Sequence, residues 1–169
     1  VTVLSFSSLA DTLTDLCGGG CRGVLSDCDK IMFMSKTLKS LKDELPIWRK
    51  NISSTGFASK ITDMIGEFKI SAIFPDDIDK ATESLTGSLK EKMKALALAY
   101  RGYDALVKER FIDPADKLQK LYDDLCVNKF FEGKEVYIDG FKGFTGQQFD
   151  ILRRIFAQAK DVYVALTDN

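Results

Sequence analysis

Apolar residues recur at steps of three and four through the middle of the chain, and at steps of two only near its ends. Ser26 can cap a helix with Ile31, Met34, Leu38, Leu41 and Leu45 on one stripe, ended by Pro46. Phe57, Ile61, Ile65 and Phe68 mark a second helix after the loop "NISSTG". Pro75 suits the first turn of a short helix, "PDDIDKATES". The longest stripe runs through Leu89, Met93, Leu96, Tyr100, Tyr103 and Val107, all on one face. Asp113 is a cap residue before Pro114, with Leu118, Leu121 and Leu125 inward on the helix that follows. These stripes predict a shared helical core, and the Met and Tyr side chains in them need no cofactor to explain them.

The ends differ in period. "VTVLSF" reads as a strand, followed by a helix capped by Ser7 or Ser8 with Leu9, Leu13 and Leu16 on one face. "EVYIDGF" and "DVYVALTD" read as two more strands, separated by a helix with Phe149, Leu152, Phe156 and Ala159 inward. Strand, helix, strand over so short a span predicts a parallel βαβ unit. The economical arrangement joins both chain ends into one α/β sheet. The expected fold is therefore mainly α. A small parallel α/β piece is built from residues 1–17 and 129–169, and a large helical subdomain over residues 18–128 is inserted between. The chain opens directly in one strand-like run and stops just after another, so a segment of a longer polypeptide is expected.

Composition narrows the chemistry. The 169 residues are 45% hydrophobic and 29% charged, as in a globular domain. Net charge is -1, so no overall basic field marks a nucleic-acid binder. Lys36, Lys39, Lys42, Lys90 and Lys94 could meet phosphates, but interleaved acids favour solvated helix faces. There is no histidine, which removes the commonest general base and the Ser-His and Cys-His nucleophile pairs. Cys17, Cys21, Cys28 and Cys126 match no zinc spacing and read as free thiols of a reducing cytosol. The glycines of "CGGGCRG" lack the Lys-Ser/Thr of a phosphate loop and read as a flexible connection.

In open α/β sheets ligands gather at the carboxyl ends of the strands. Those ends carry Ser5-Phe6-Ser7, Asp139-Gly140-Phe141 and Thr167-Asp168-Asn169. Hydroxyls and acids converging on one edge suggest nucleotide and Mg²⁺ chemistry. The competing reading makes Ser7 a helix cap and leaves the acids in turns.

At these residues the chain resembles a known family. "VYIDGFKGFTGQQFDILRRIFAQAKDVYVALTDN" looks like the Walker B region and following strand of superfamily 1 DNA helicases. Asp139 takes the place of the Walker Asp, Gln148 falls where that family has its Gln, and Thr167-Asp168 replaces Gly-Asp. "VLSFSSLADTL" is similar to the segment that lies by single-stranded DNA, with Ser5, Phe6 and Ser7 in place of Thr, Phe and His. More narrowly, "VLSFSSLA", "FASKITDMIGEFK", "DPADKL" and "VYIDGFKGFTGQQFDIL" resemble the B subunit of the AddAB-type ATP-dependent helicase/deoxyribonuclease. The resemblance implies a bacterial cytoplasmic protein that processes double-strand breaks for homologous recombination under control of a Chi signal. It implies a RecA-like first domain with an inserted helical subdomain, an A subunit as partner, and DNA as substrate. For the parent protein it also implies ATP, Mg²⁺ and a 4Fe–4S cluster, the last to be held by cysteines outside this segment.

The resemblance departs at one place. Where helicases have a Glu after the Walker Asp, to orient and deprotonate the attacking water, this chain has Gly140; a second acid of that segment is Gly143 here. Losing such a group costs about 10²–10⁴ in rate. The expectation is a segment with no catalytic or metal-ligating residue of its own. Asp139, Gln148, Thr167 and Asp168 would lie near any nucleotide, and Ser5, Phe6 and Ser7 near DNA. Two alternatives stand beside this reading: a helical protein-interaction module without nucleotide chemistry, and an intact ATPase motor, which Gly140 argues against.

Overall fold

The computed structural model describes residues 1–17, 23–108 and 111–165. The chain is mainly helical. Its α-helices among the described residues are α1 (Phe6–Leu16), α2 (Asp27–Ser40), α3 (Thr55–Ile70), α4 (Pro75–Glu83), α5 (Gly87–Val107), α6 (Lys117–Val127) and α7 (Gly146–Gln158). Two short parallel ladders accompany them. One pairs β1 (Gly23–Val24) with β2 (Phe111–Ile112), the other β3 (Glu135–Ile138) with β4 (Asp161–Val164). No helix among the described residues is long and apolar enough to cross a membrane.

The chain divides into two compact units. One unit holds α2 to α5 with β1 and β2. Its helices start where local hydrogen bonding favours them. Ser26 caps α2 and exchanges bonds with Asp29, whose carboxylate takes the Ser26 hydroxyl at 2.6 Å and the Ser26 N–H at 3.0 Å. Those two bonds, the hydroxyl first, hold the Asp29 carboxyl below its usual range. At α4 the Asp77 carboxylate accepts the Phe74 N–H at 3.0 Å, and Pro75 fills the first helical position. The core is built from Met34, Leu38, Leu45, Ile65, Tyr100, Tyr103 and Val107, all buried on the stripes that periodicity predicts. The ladder of β1 and β2 was not predicted: two residues a side carry no readable period.

The other unit holds both chain ends: α1, the turn Ile70–Ala72, and the chain from Ala115 on. Leu9, Leu13, Leu121, Leu125, Ile138, Ile151 and Leu152 form its core. As expected, β3 and β4 run parallel across α7, with Val136 opposite Val162 and Ile138 opposite Val164. Tyr137 and Tyr163 stack on the outer face, centroids 4.8 Å apart.

Two expectations are corrected. Residues 1–5 form no strand, and Val3 and Leu4 are exposed. The sheet of this unit has two strands among the described residues, not three. A β-branched run becomes a strand only against a partner edge, and none of the described residues pairs with it. On α7 the buried residues are Gln147, Ile151, Leu152 and Ile155, while Phe149 and Phe156 are about half exposed. Apolar residues at 149, 151, 152, 155 and 156 cover more than one stripe, so tertiary packing chose the face centred on the two isoleucines.

Candidate functional site at the end of a strand

The sequence places its chemistry-bearing residues at strand ends, and the unit built from the chain ends brings two of those three groups together. Ser5 is not a strand residue but the N-cap of α1, its hydroxyl accepting the Ser8 N–H at 3.1 Å. Phe6 opens the helix and packs edge-on against Phe141 and Phe144, at centroid distances of 5.4 and 6.3 Å. Phe141 and Phe144 lie 5.1 Å apart, and Phe144 touches Phe149 at 5.6 Å. This aromatic cluster joins the start of α1 to the segment after β3. Phe6 is half-buried within it. Its ring therefore contributes packing area first, and any stacking surface only with what remains.

Ser7 lies on the exposed side of the same turn. Its hydroxyl accepts from Lys117 Nζ at 2.7 Å, and Lys117 also bridges to Asp11, 2.8 Å from Oδ1. Nothing in the sequence pairs Lys117 with residues over a hundred positions earlier, and it was missed. It is the basic group that the structure adds to this edge.

Asp139 follows β3 and is exposed; its Oδ1 accepts the N–H of Gly140 at 2.7 Å. Gly140 has φ +79°, a left-handed conformation that glycine adopts freely and other residues only with strain. Gly140 thus sits at a backbone turn that disfavours a side chain.

Gln148 is accounted for locally. Its Oε1 accepts the Thr145 N–H at 2.9 Å while the Thr145 hydroxyl accepts the Gln148 N–H at 3.4 Å, a reciprocal cap on α7. The neighbouring Gln147 is buried and donates from Nε2 to the Ala115 carbonyl at 3.0 Å. Gly146, between Thr145 and Gln147, carries no Cβ because the Ser71 carbonyl lies against it. An added Cβ would overlap the carbonyl oxygen and sit 2.7 Å from the carbonyl carbon. Thr167 and Asp168 lie outside the described residues, and β4 is followed only as far as Ala165, whose N–H donates to the Ile138 carbonyl at 2.8 Å.

Asp139 is a lone carboxylate, which could meet Mg²⁺ only together with water and nucleotide phosphates; among the described residues no group of three or more Cys, Asp or Glu is placed to hold a metal ion. Cys17, Cys28 and Cys126 are exposed free thiols, and Cys21 lies outside the described residues. On the helical unit Lys36, Lys39, Lys42 and Lys94 are exposed. Lys90 and Lys94 line a shallow 440 Å³ cavity with Asp79, Thr82 and Glu83, where the acids offset them.

A family model described as "ADDB, N-terminal" matches residues 1–169. The chain is 35% identical over 166 residues to the B subunit of the ATP-dependent helicase/deoxyribonuclease of Thermoanaerobacter sp. (strain X514), covering 98% of this chain and 14% of that protein. It is 36% identical to the protein of the same name from Caldanaerobacter subterraneus subsp. tengcongensis, with the same coverage. It is 30% identical over 168 residues to that of Clostridioides difficile (strain 630), covering 99% of this chain and 14% of the relative. The chain thus spans about one seventh of the length of the curated relatives it matches.

Proposed function

This chain belongs to the ADDB N-terminal family, and from that membership we propose that it is a DNA-handling, non-hydrolytic segment near the N-terminal end of the B subunit of an ATP-dependent helicase/deoxyribonuclease. The observation that carries the reading is identity of 30–36% over nearly the whole chain to proteins of that name. In this reading the parent protein processes DNA double-strand ends for recombination, in the bacterial cytoplasm, under control of a Chi signal and together with an A subunit. ATP and Mg²⁺ belong to the parent, as does a 4Fe–4S cluster held elsewhere in it.

The unit made of the chain ends is a partial RecA-like domain, and the helical unit is its insertion. Asp139 occupies the Walker position. Gly140 supplies no base, so water held beside Asp139 is not activated from this position. What this edge contributes is strand contact. The hydroxyls of Ser5 and Ser7 and the ammonium of Lys117 lie at one helix start, where backbone N–H groups also favour anions. Phe6 fixes that turn against Phe141 and Phe144. Thr167 and Asp168 would lie beside the nucleotide.

The test is fluorescence anisotropy of a labelled oligo-dT strand titrated with the chain, at salt from about 50 to 200 mM. One phosphate met by the Lys117 ammonium predicts a log–log slope of about -0.7 for a single strand. Affinity and slope indistinguishable from those of an acidic protein of similar size would remove the DNA-contact role.

A further inference from the structure

The helical unit buries a cation that the proposed DNA contact does not use. Lys69, in the last turn of α3, is 2% exposed. Its Nζ lies 3.0 Å from Asp104 Oδ1 and 3.1 Å from Asp113 Oδ2. The Asp113 contact is a hydrogen bond; the Asp104 contact is an ion pair without hydrogen-bond geometry. The Tyr103 hydroxyl donates to the same Asp113 oxygen at 3.1 Å. The Tyr103 and Tyr100 rings flank the ammonium at 5.3 and 5.8 Å, and Lys108 meets Asp104 Oδ2 at 2.9 Å.

Such a cluster is a weak source of net stability. Desolvating the charges offsets most of their attraction, and well-packed neutral groups often serve as well. Its strength is choice of geometry, because displacing any one partner takes a contact from a buried charge.

One element needs that choice made for it. Asp113 directly follows β2, whose ladder with β1 consists of Gly23 opposite Phe111 and Val24 opposite Ile112. A two-residue ladder is too short to hold its own register. Yet three contacts depend on that register. The Leu25 N–H donates to the Ile112 carbonyl at 3.0 Å. The Phe111 ring meets Phe33 at a centroid distance of 5.2 Å. It also lies against Gly23, 3.5 Å from where a Cβ would be.

We propose that the Lys69–Asp113–Asp104–Tyr103 cluster is a register lock, which holds Asp113 and therefore β2 at one position against β1. The lock is a positioning device and touches no ligand.

Native-state amide hydrogen exchange on the 169-residue chain tests it. Lys69→Met keeps the aliphatic stem and removes the ammonium. The triple variant Lys69→Met/Asp104→Asn/Asp113→Asn removes all three charges together, and decides the matter should the single variant not fold. The Leu25 amide reports the ladder, and the Leu38 amide, on α2, reports opening of the unit as a whole. With the lock removed, Leu25 exchange rises about tenfold or more while Leu38 changes less than about threefold. Equal factors at the two amides, or no change at either, would overturn the proposal.

Discussion

Replacing Gly140 by Glu puts an acid beside Asp139, and the structure sets what that should do. Gly140 holds φ +79°. For an L-residue the left-handed conformation costs about 1–2 kcal/mol. Its chain neighbours aside, no atom of the described residues lies within 4 Å of where a Cβ would go, so they add no crowding and the cost is that of the backbone. A side chain also restricts the unfolded chain, which recovers about 0.4–1 kcal/mol. The net loss for Gly140→Glu is therefore roughly 1 kcal/mol, about 2–4 °C in midpoint for a chain of this size. Gly140→Ala should lose the same amount, and Gly140→Asn less, since Asn tolerates the left-handed region. Urea unfolding followed by near-ultraviolet circular dichroism reads this directly, because the stacked Tyr137 and Tyr163 report the β3–β4 ladder next to the turn. The acid should also restore no ATP turnover, because a Cβ built on this turn does not project as one on an extended strand end does. A Glu variant as stable as the parent, or one differing from Ala by more than about 1 kcal/mol, would refute the backbone argument.

Gly146→Ala forces a Cβ against the Ser71 carbonyl, and should cost about 1–3 kcal/mol despite the higher helix propensity of Ala; an unchanged urea midpoint would contradict the close approach. Gln148→Ala breaks the reciprocal cap with Thr145 and should lower stability by about 1 kcal/mol, while Gln148→Glu retains it; a Gln148 that acted only on a nucleotide would leave the urea midpoint where it is. The Tyr163 phenol is held above its usual range, chiefly by the Asp161 carboxylate and then by Tyr137, so Asp161→Asn should move its spectrophotometric titration to lower pH. Above pH 10 the unfolded chain releases this proton before the folded one does, so any contribution is present below that window and lost as pH rises through it.

Much of the helical unit was legible because its stripes are amphipathic and some starts carry their own signal, such as Ser26 with Asp29 or Pro75 with Asp77; Leu89, expected on the α5 stripe, is exposed, and Leu121 and Leu125 of α6 pack in the core of the other unit instead of a shared one. The pairing of β3 with β4 was legible because a single short helix separates two runs of period two. The missed features depend on partners distant in sequence. "VTVLSF" has the composition of a strand, but no edge among the described residues pairs with it. Phe149 and Phe156 have the spacing of a core stripe, and lose it to Ile151 and Ile155 on the adjacent face. Lys69 reads as one more solvated lysine until Asp104 and Asp113 are folded around it. At the candidate site the residue types were readable but their company was not. Phe6 with Phe141, and Ser7 with Lys117, are contacts across more than a hundred positions that leave no local pattern.

The central claim is that the start of α1 and the segment after β3 form one edge facing a DNA strand. The most direct measurement is a hydrogen-exchange footprint of oligo-dT on the chain at low salt. Protection should appear at the amides of Leu4–Leu9 and of Gly140–Phe149, and be absent over α4. No protection in either segment, or protection confined to α4 and α5, would contradict the account.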